Sequence, residues 1–336
     1  MPSPSGLPLL RLRLELPIDL CQRRREISVR SLGAYSRRFC SRQRQTDRAQ
    51  RMNSLPKLPS TGCFKEILAR VPADASAAGV IGSAVSVARL FAAHLDAVAV
   101  VGPSDNRHGS SGTTASGLQR IAAFENTADA AARVLLQFET AAQQAELSYG
   151  KRLIADSSDR AERMLAQASR LYDLSIIPQP DLPTPYNAQP QAMLFDSGRP
   201  VIVIPRTHRV GITLDHVGVC WDGGRCAARA LHDAIPLLEL AGCVDIITVH
   251  EPDASVECSA EALASHLARR QLNIRLKQPK SDQLGVYRAV MAVAAEAGSK
   301  LLVMGGYGHS KAGRFVLGGV TRDALDEMSV PTFISF

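Results

Sequence analysis

Between Leu301 and Thr321 the chain carries residues whose types and spacing suit one chemistry, the holding of a phosphate. Leu301-Leu302-Val303-Met304 runs directly into Gly305-Gly306-Tyr307-Gly308, and nine residues later comes Gly318-Gly319-Val320-Thr321. A four-residue apolar run bounded by glycines reads as a buried strand. The glycines after it let backbone N–H groups approach a ligand with no Cβ in the way. The second glycine pair stands where a helix over Thr321–Met328 begins, and a helix N-terminus favours anions. His309, Lys311 and Arg314 lie in the same loop, where each could meet phosphate charge or simply be solvated. Two other chemistries fail on these residues. A P-loop needs G-x4-G-K-[ST], whereas Gly308-x4-Gly313 is followed by Arg314-Phe315, without the lysine or the Mg2+-binding hydroxyl. A nucleophile elbow needs G-x-S-x-G; Gly308-His309-Ser310-Lys311-Ala312 lacks the last glycine, and no histidine follows to complete a Ser-His-Asp order.

Elsewhere the candidates are fewer. Asp222-Gly223-Gly224 closes an apolar run and reads either as a ligand contact or as an ordinary tight turn. Gly305 and Gly308 likewise have a pure turn reading beside the ligand one. His250-Glu251 has no second histidine at ligand spacing, so a core or rim position is the plainer reading than a metal site. The seven cysteines (21, 40, 63, 220, 226, 243, 258) include no CxxC pair, which excludes a zinc framework or disulfide scaffold. Reduced thiols in a cytoplasmic protein are expected, with Cys220 and Cys243 as core residues. The net charge of +7 sits in the head, where residues 1–51 hold twelve arginines against Glu15, Asp19, Glu26 and Asp47. The rest of the chain is nearly neutral, so no nucleic acid is expected for the folded part. With no apolar run of about 18 residues, no membrane span is expected either. The head itself reads as a transit-like segment, a basic arm touching RNA or membrane, or a disordered extension with a working start at Met52. The last is preferred, because Met52-Asn53-Ser54 leads directly into the first patterned segment.

The strands and helices that must position these residues alternate. Phe64–Val71 reads as a strand, Ala78–His94 as a helix and Asp96–Val101 as a strand. A polar loop over Gly102–Gly117 precedes a long helix, Leu118–Ser148. Ser157-Ser158-Asp159 caps a helix over Arg160–Arg170, followed by strand Leu174–Ile177, the Pro-rich loop Pro178–Pro190 and strand Val201–Ile204. From Thr213 the order restarts. Strand His216–Trp221, helix Arg225–Leu240, strand Val244–Val249, helix Ala260–Arg270 and the short strand Ile274–Leu276 come first. Helix Leu284–Ala297, the strand into the glycine loop, the last helix and strand Pro331–Phe336 complete it. Such alternation implies right-handed βαβ units and parallel sheets. Ala92–Val101 echoes Leu240–Val249, Tyr172–Ile177 echoes Ser299–Met304, and Gly198–Ile204 echoes Met328–Ile334. The pattern predicts a degenerate tandem duplication of a unit of roughly 140 residues. The expected organisation is an extension over residues 1–61, a degenerate first unit over 62–206 and a second unit over 213–336.

Gly305-x2-Gly308-x9-Gly318 followed by a small residue resembles the nucleotide-binding signature of the universal stress protein family. Asp222 stands where that family ends its first strand in Asp-Gly-Ser, and Val330-Pro331-Thr332-Phe333-Ile334 is similar to its terminal strand. The resemblance covers Thr213–Phe336 well and Gly62–Pro205 faintly. It implies an α/β fold of two tandem flavodoxin-like (adenine-nucleotide α-hydrolase-like) units with parallel sheets. It also implies ATP or a related adenine nucleotide, with or without Mg2+, in the second unit. Asp222 would contact the nucleotide, Val249 would lie against the adenine, and Met304, Gly305, Gly308, His309, Gly318, Gly319, Val320 and Thr321 would frame the phosphates and ribose. Gly319 replaces the family's usual Ser or Thr, with Thr321 or the backbone N–H groups left to make up that contact. The first unit has lost the signature, since Pro178-Gln179-Pro180 follows its strand, and Asp74 is read as a relic of its first-strand aspartate. No nucleotide is expected there. Val201–Ile204 and Thr332–Phe336 are expected to join the units as an internal pseudo-dimer, with a further homodimer left open. The implied output is stress sensing or partner modulation, with at most slow ATP hydrolysis. A nucleotide-free interaction module with a vestigial glycine loop and, behind it, an adenylating enzyme are the alternatives.

Overall fold

The structure is a computed structural model that describes residues 64–102, 117–156, 158–180, 192–193, 196–248, 258–279, 285–306, 308–311, 314–317 and 319–336. The Arg-rich head, Val249, His250-Glu251 and Gly318 therefore lie outside the described residues, as do most of the Gly102–Gly117 and Pro178–Pro190 loops.

The first five strands are β1 (Glu66–Arg70), β2 (His94–Val101), β3 (Tyr149–Ala155), β4 (Leu174–Pro178) and β5 (Val201–Ile204). Helices α1 (Ala77–Phe91), α2 (Gly117–Gln144) and α3 (Ser158–Ala168) connect them. The second set is β6 (His216–Cys220), α4 (Arg225–Leu238), β7 (Cys243–Ile247), α5 (Ala260–Ala268), β8 (Ile274–Lys277), α6 (Val286–Ala297) and β9 (Leu301–Gly305). A hairpin of β10 (Gly308–Lys311) and β11 (Arg314–Leu317), helix α7 (Gly319–Glu327) and β12 (Thr332–Ser335) complete the order.

Ten strands form one sheet in the order β3-β2-β1-β4-β5-β12-β9-β6-β7-β8. Within each half the order is the flavodoxin-like 3-2-1-4-5, with every pairing parallel. Strands β4, β5, β7 and β9 are buried at every position, which is why each reads as a continuous apolar run rather than an alternating one. One face of the sheet packs under α1, α2, α4 and α5 as a core continuous through both halves, from Ile67 and Leu95 to Val217, Val244 and Phe333. The other face packs under α3, α6 and α7.

The halves meet where β12 pairs antiparallel with β5, Thr332 beside Val203, Phe333 beside Ile202 and Ile334 beside Val201. Strand register also fixes which residues correspond between halves. Ser175 pairs with Val201 as Leu302 pairs with Thr332, so Ile202 corresponds to Phe333. That pair is its own counterpart, and a pseudo-two-fold axis passes between the two residues. The register corrects two of the echoes read from sequence by one residue. Pro200, not Val201, corresponds to Pro331; Asp96 corresponds to Asp245, because Ile67 pairs with Leu95 as Val217 pairs with Val244. The long helix also ends at Gln144 instead of Ser148. Glu146 turns the chain at φ 55, and Tyr149–Ala155 then forms an edge strand with Ile154 as its one buried residue.

Candidate functional site

The strand order reverses between β6 and β9, because β6 leads to β7 on one side and β9 to β12 on the other. In open α/β sheets such a reversal leaves a crevice at the carboxyl ends of the strands. Asp222, Met304 and Gly305 all lie at this edge, and α4 and α7 both begin there.

After β6 the chain turns sharply. Trp221 N–H still donates to the Ile247 carbonyl at 2.9 Å, and its indole N–H donates to the Cys258 carbonyl at 2.8 Å. Asp222 Oδ1 then accepts the Gly224 N–H at 2.8 Å while Gly223 takes a φ of +74°, and Gly224 becomes the N-cap of α4. Asp222 thus makes the tight turn that its sequence context allowed, with one carboxylate oxygen committed to it.

The end of β9 fits closely against α4. A Cβ on Gly305 would lie 2.5 Å from the Cys226 carbonyl carbon and 2.6 Å from the Ala227 nitrogen, so glycine is required there by helix–strand packing. A Cβ on Gly306 would meet the Phe336 ring at 2.2 Å, and its N–H donates to the Ser335 carbonyl at 2.8 Å. The following residues, read as an open glycine loop, form the β10–β11 hairpin, with Gly308 beside Leu317 and His309 beside Val316. Helix α7 starts at Gly319, two residues before the predicted start, so Val320 and Thr321 stand in its first turn.

Two buried hydroxyls at this edge have no hydrogen-bond partner, Thr248 Oγ1 just beyond β7 and Tyr287 in the first turn of α6. Tyr287 packs with Met304 and with Ala324 and Leu325 of α7. Its proton is held well above the usual phenol range, first by burial and then by the acidic neighbours Cys220, Glu327 and Asp323. The Cys220 thiol is pushed up to about 12 by burial and then by Asp222, so it stays protonated. Orphaned buried donors are uncommon and point to an absent water or ligand group. Beside Asp222 they are two further polar groups, of a kind that would suit a polar ligand such as a nucleotide. Neither was singled out in the sequence, where one hydroxyl in an apolar segment has no distinguishing spacing.

The opposite, amino-terminal edge holds His216, Cys243 and Asp245, with their candidate ligand atoms all within 4.8 Å of one another. Arg275 closes this group, its Nε and one terminal nitrogen each donating to Asp245 at 2.8 Å and that nitrogen also lying 2.9 Å from His216 Nδ1. An arginine cannot accept, so Nδ1 stands as the acceptor of this contact. The buried aspartate thus has its counter-charge in Arg275. No described helix is long and apolar enough to cross a membrane.

No family model and no curated protein matches the sequence. Among solved structures, a universal stress protein from Archaeoglobus fulgidus DSM 4304 superposes with a TM-score of 0.59 at 16% identity, over 80% of this chain and 97% of that one. Universal stress protein UspA from Lactobacillus plantarum aligns at 16% identity over 43% of this chain and 99% of its own, with a TM-score of 0.34. The chain has the fold of a universal stress protein.

Proposed function

We propose that the chain is a two-unit universal stress protein whose C-terminal half binds ATP or a related adenine nucleotide, with or without Mg2+, and whose output is stress sensing or modulation of a partner in the cytoplasm. One observation carries this reading. Asp222 and the Met304–Gly305 strand end stand side by side where the strand order reverses, with two helix N-termini opening on the same edge. In this reading Asp222 and the orphaned Tyr287 and Thr248 hydroxyls orient the nucleoside, with Val249 against the base. Gly308, His309 and Gly318–Thr321 hold the phosphates and ribose. The nucleotide supplies a binding signal rather than a reaction, because the sequence offers no evident general base beside the cradle, and any hydrolysis is slow. The β5–β12 pairing supports an internal pseudo-dimer and uses up the last strand of each half.

The hairpin supports a second reading. Residues 308–311 and 314–317 pair with one another as antiparallel strands, as they would in a nucleotide-free interaction module. Mass spectrometry of nucleotide co-purifying with the full chain, with calorimetric titration by ATP, separates the two. One equivalent of adenine nucleotide supports the proposal. Two equivalents would bring the first half into play, and none from folded protein would leave the interaction module.

A further inference from the structure

The N-terminal half has its own reversal, between β1 and β4, and its own crevice there of about 370 Å3. That volume is in the range of small-molecule sites. Arg70 and the Val71–Ser76 turn line it from the end of β1, Pro178–Pro180 from the end of β4, and Arg206 and Arg209 from the segment after β5. Among the described residues that line it, three are arginines and one, Asp74, is an acid.

The arginines are held in place. Arg70 donates to Glu162 Oε1 from Nε at 3.2 Å and from a terminal nitrogen at 3.0 Å, and Glu162 is 1% exposed. Arg206 donates through its side chain to the Pro180 carbonyl and through its backbone N–H to Gln179 Oε1 at 3.1 Å. Arg209 donates to the His208 carbonyl at 2.8 Å and to the Arg206 carbonyl. Holding a guanidinium in advance lowers the ordering cost of binding, and its planar fork matches a carboxylate or phosphate edge. Asp74 has one carboxylate oxygen committed within its own turn, since its Oδ1 accepts the Ser76 N–H at 2.7 Å and the Ser76 hydroxyl at 2.5 Å.

The same walls disfavour a nucleotide. Pro178 and Pro180 have no N–H to offer phosphates, and the stretch holds no glycine. We infer that this crevice binds a compact oxyanion, a small carboxylate or phosphate, through Arg206, Arg209 and Arg70. This inference does not depend on nucleotide binding in the other half.

Calorimetric titration of the full chain with citrate and with inorganic phosphate in low-salt buffer tests it, each with and without excess ATP. Trp221, the chain's single tryptophan, stands beside Asp222 and reports on the other site. The expected result is one equivalent of anion that leaves Trp221 emission unchanged and persists in ATP. The tighter of the two probes distinguishes a carboxylate ligand from a phosphate one. Arg209→Ala should weaken binding about tenfold, as the loss of a charge-assisted pair implies. Asp74→Asn keeps the acceptor for Ser76 while removing the negative charge, and should tighten binding about threefold. A gain in affinity cannot come from misfolding. No heat from either anion, affinities indifferent to both substitutions, or displacement by ATP would each overturn the inference.

Discussion

The hydroxyl of Tyr287 is buried with no partner, in the cluster that also holds Met304, Ala324 and Leu325, an arrangement that costs about 1–3 kcal/mol relative to a satisfied group. Tyr287→Phe should therefore raise the stability of the ligand-free protein by about 1 kcal/mol in denaturant unfolding and lower its affinity for ATP. A gain in stability without loss of affinity would make the hydroxyl a mere packing defect. Asp222 offers a second separation of roles. Asp222→Asn keeps an oxygen for the Gly224 N–H but loses the charge, and should cut adenine-nucleotide affinity about tenfold while barely changing inorganic phosphate binding. Equal losses would reject a nucleoside role. Both Asp222 and Gly305 were legible in the sequence because turn chemistry and glycine spacing are local. The reason for Gly305 was not. Its missing side chain makes room for the backbone of α4 at Cys226–Ala227, a contact between residues almost eighty positions apart that no spacing within the loop encodes. Tyr287 and Thr248 were illegible for the same reason, since a hydroxyl becomes notable only once the fold denies it a partner.

Elements were legible where burial made them uniform. The fully buried strands appeared as apolar runs, whereas β3 carries Lys151 and Arg152 outward at the sheet edge and left no such run. The β10–β11 hairpin had a usable signal in the apolar Phe315-Val316-Leu317, overshadowed by the preceding glycines. At this scale α3 carries a pH-dependent term. Glu162 is buried between α3 and β1, and burial raises its carboxyl above the ordinary range more than its pairing with Arg70 lowers it. A folded-state pKa above the unfolded one means that the ionised form burdens the fold at neutral pH. The burden lifts as pH falls through the folded value toward the unfolded one. Glu162→Gln, a neutral isostere, should thus be the more stable protein at neutral pH. Its advantage should shrink on acidification in parallel urea titrations. An advantage constant with pH would show that Arg70 keeps the carboxylate ionised throughout.

At the scale of the whole molecule, two copies of the order 3-2-1-4-5 share one sheet through a single antiparallel joint. The joint centres on Ile202 and Phe333, both wholly buried and each the counterpart of the other. Its strand pair was legible as two apolar runs in corresponding places, but its register depends on the antiparallel meeting of β5 and β12. Cooperative unfolding of the two halves should run through this seam, because the core under α1, α2, α4 and α5 crosses it. Phe333→Ala removes the largest side chain on the axis and should cost about 3–5 kcal/mol. That loss should split a single calorimetric transition into two. Ligand linkage then assigns them: ATP at a hundredfold excess over its dissociation constant stabilises the half that binds it by about 2.7 kcal/mol and leaves the other unmoved. A shift confined to one of two transitions would locate the nucleotide in one half. Equal shifts of both would mean that each half binds, and an unsplit transition would show that the continuous core couples the halves without the Phe333 ring.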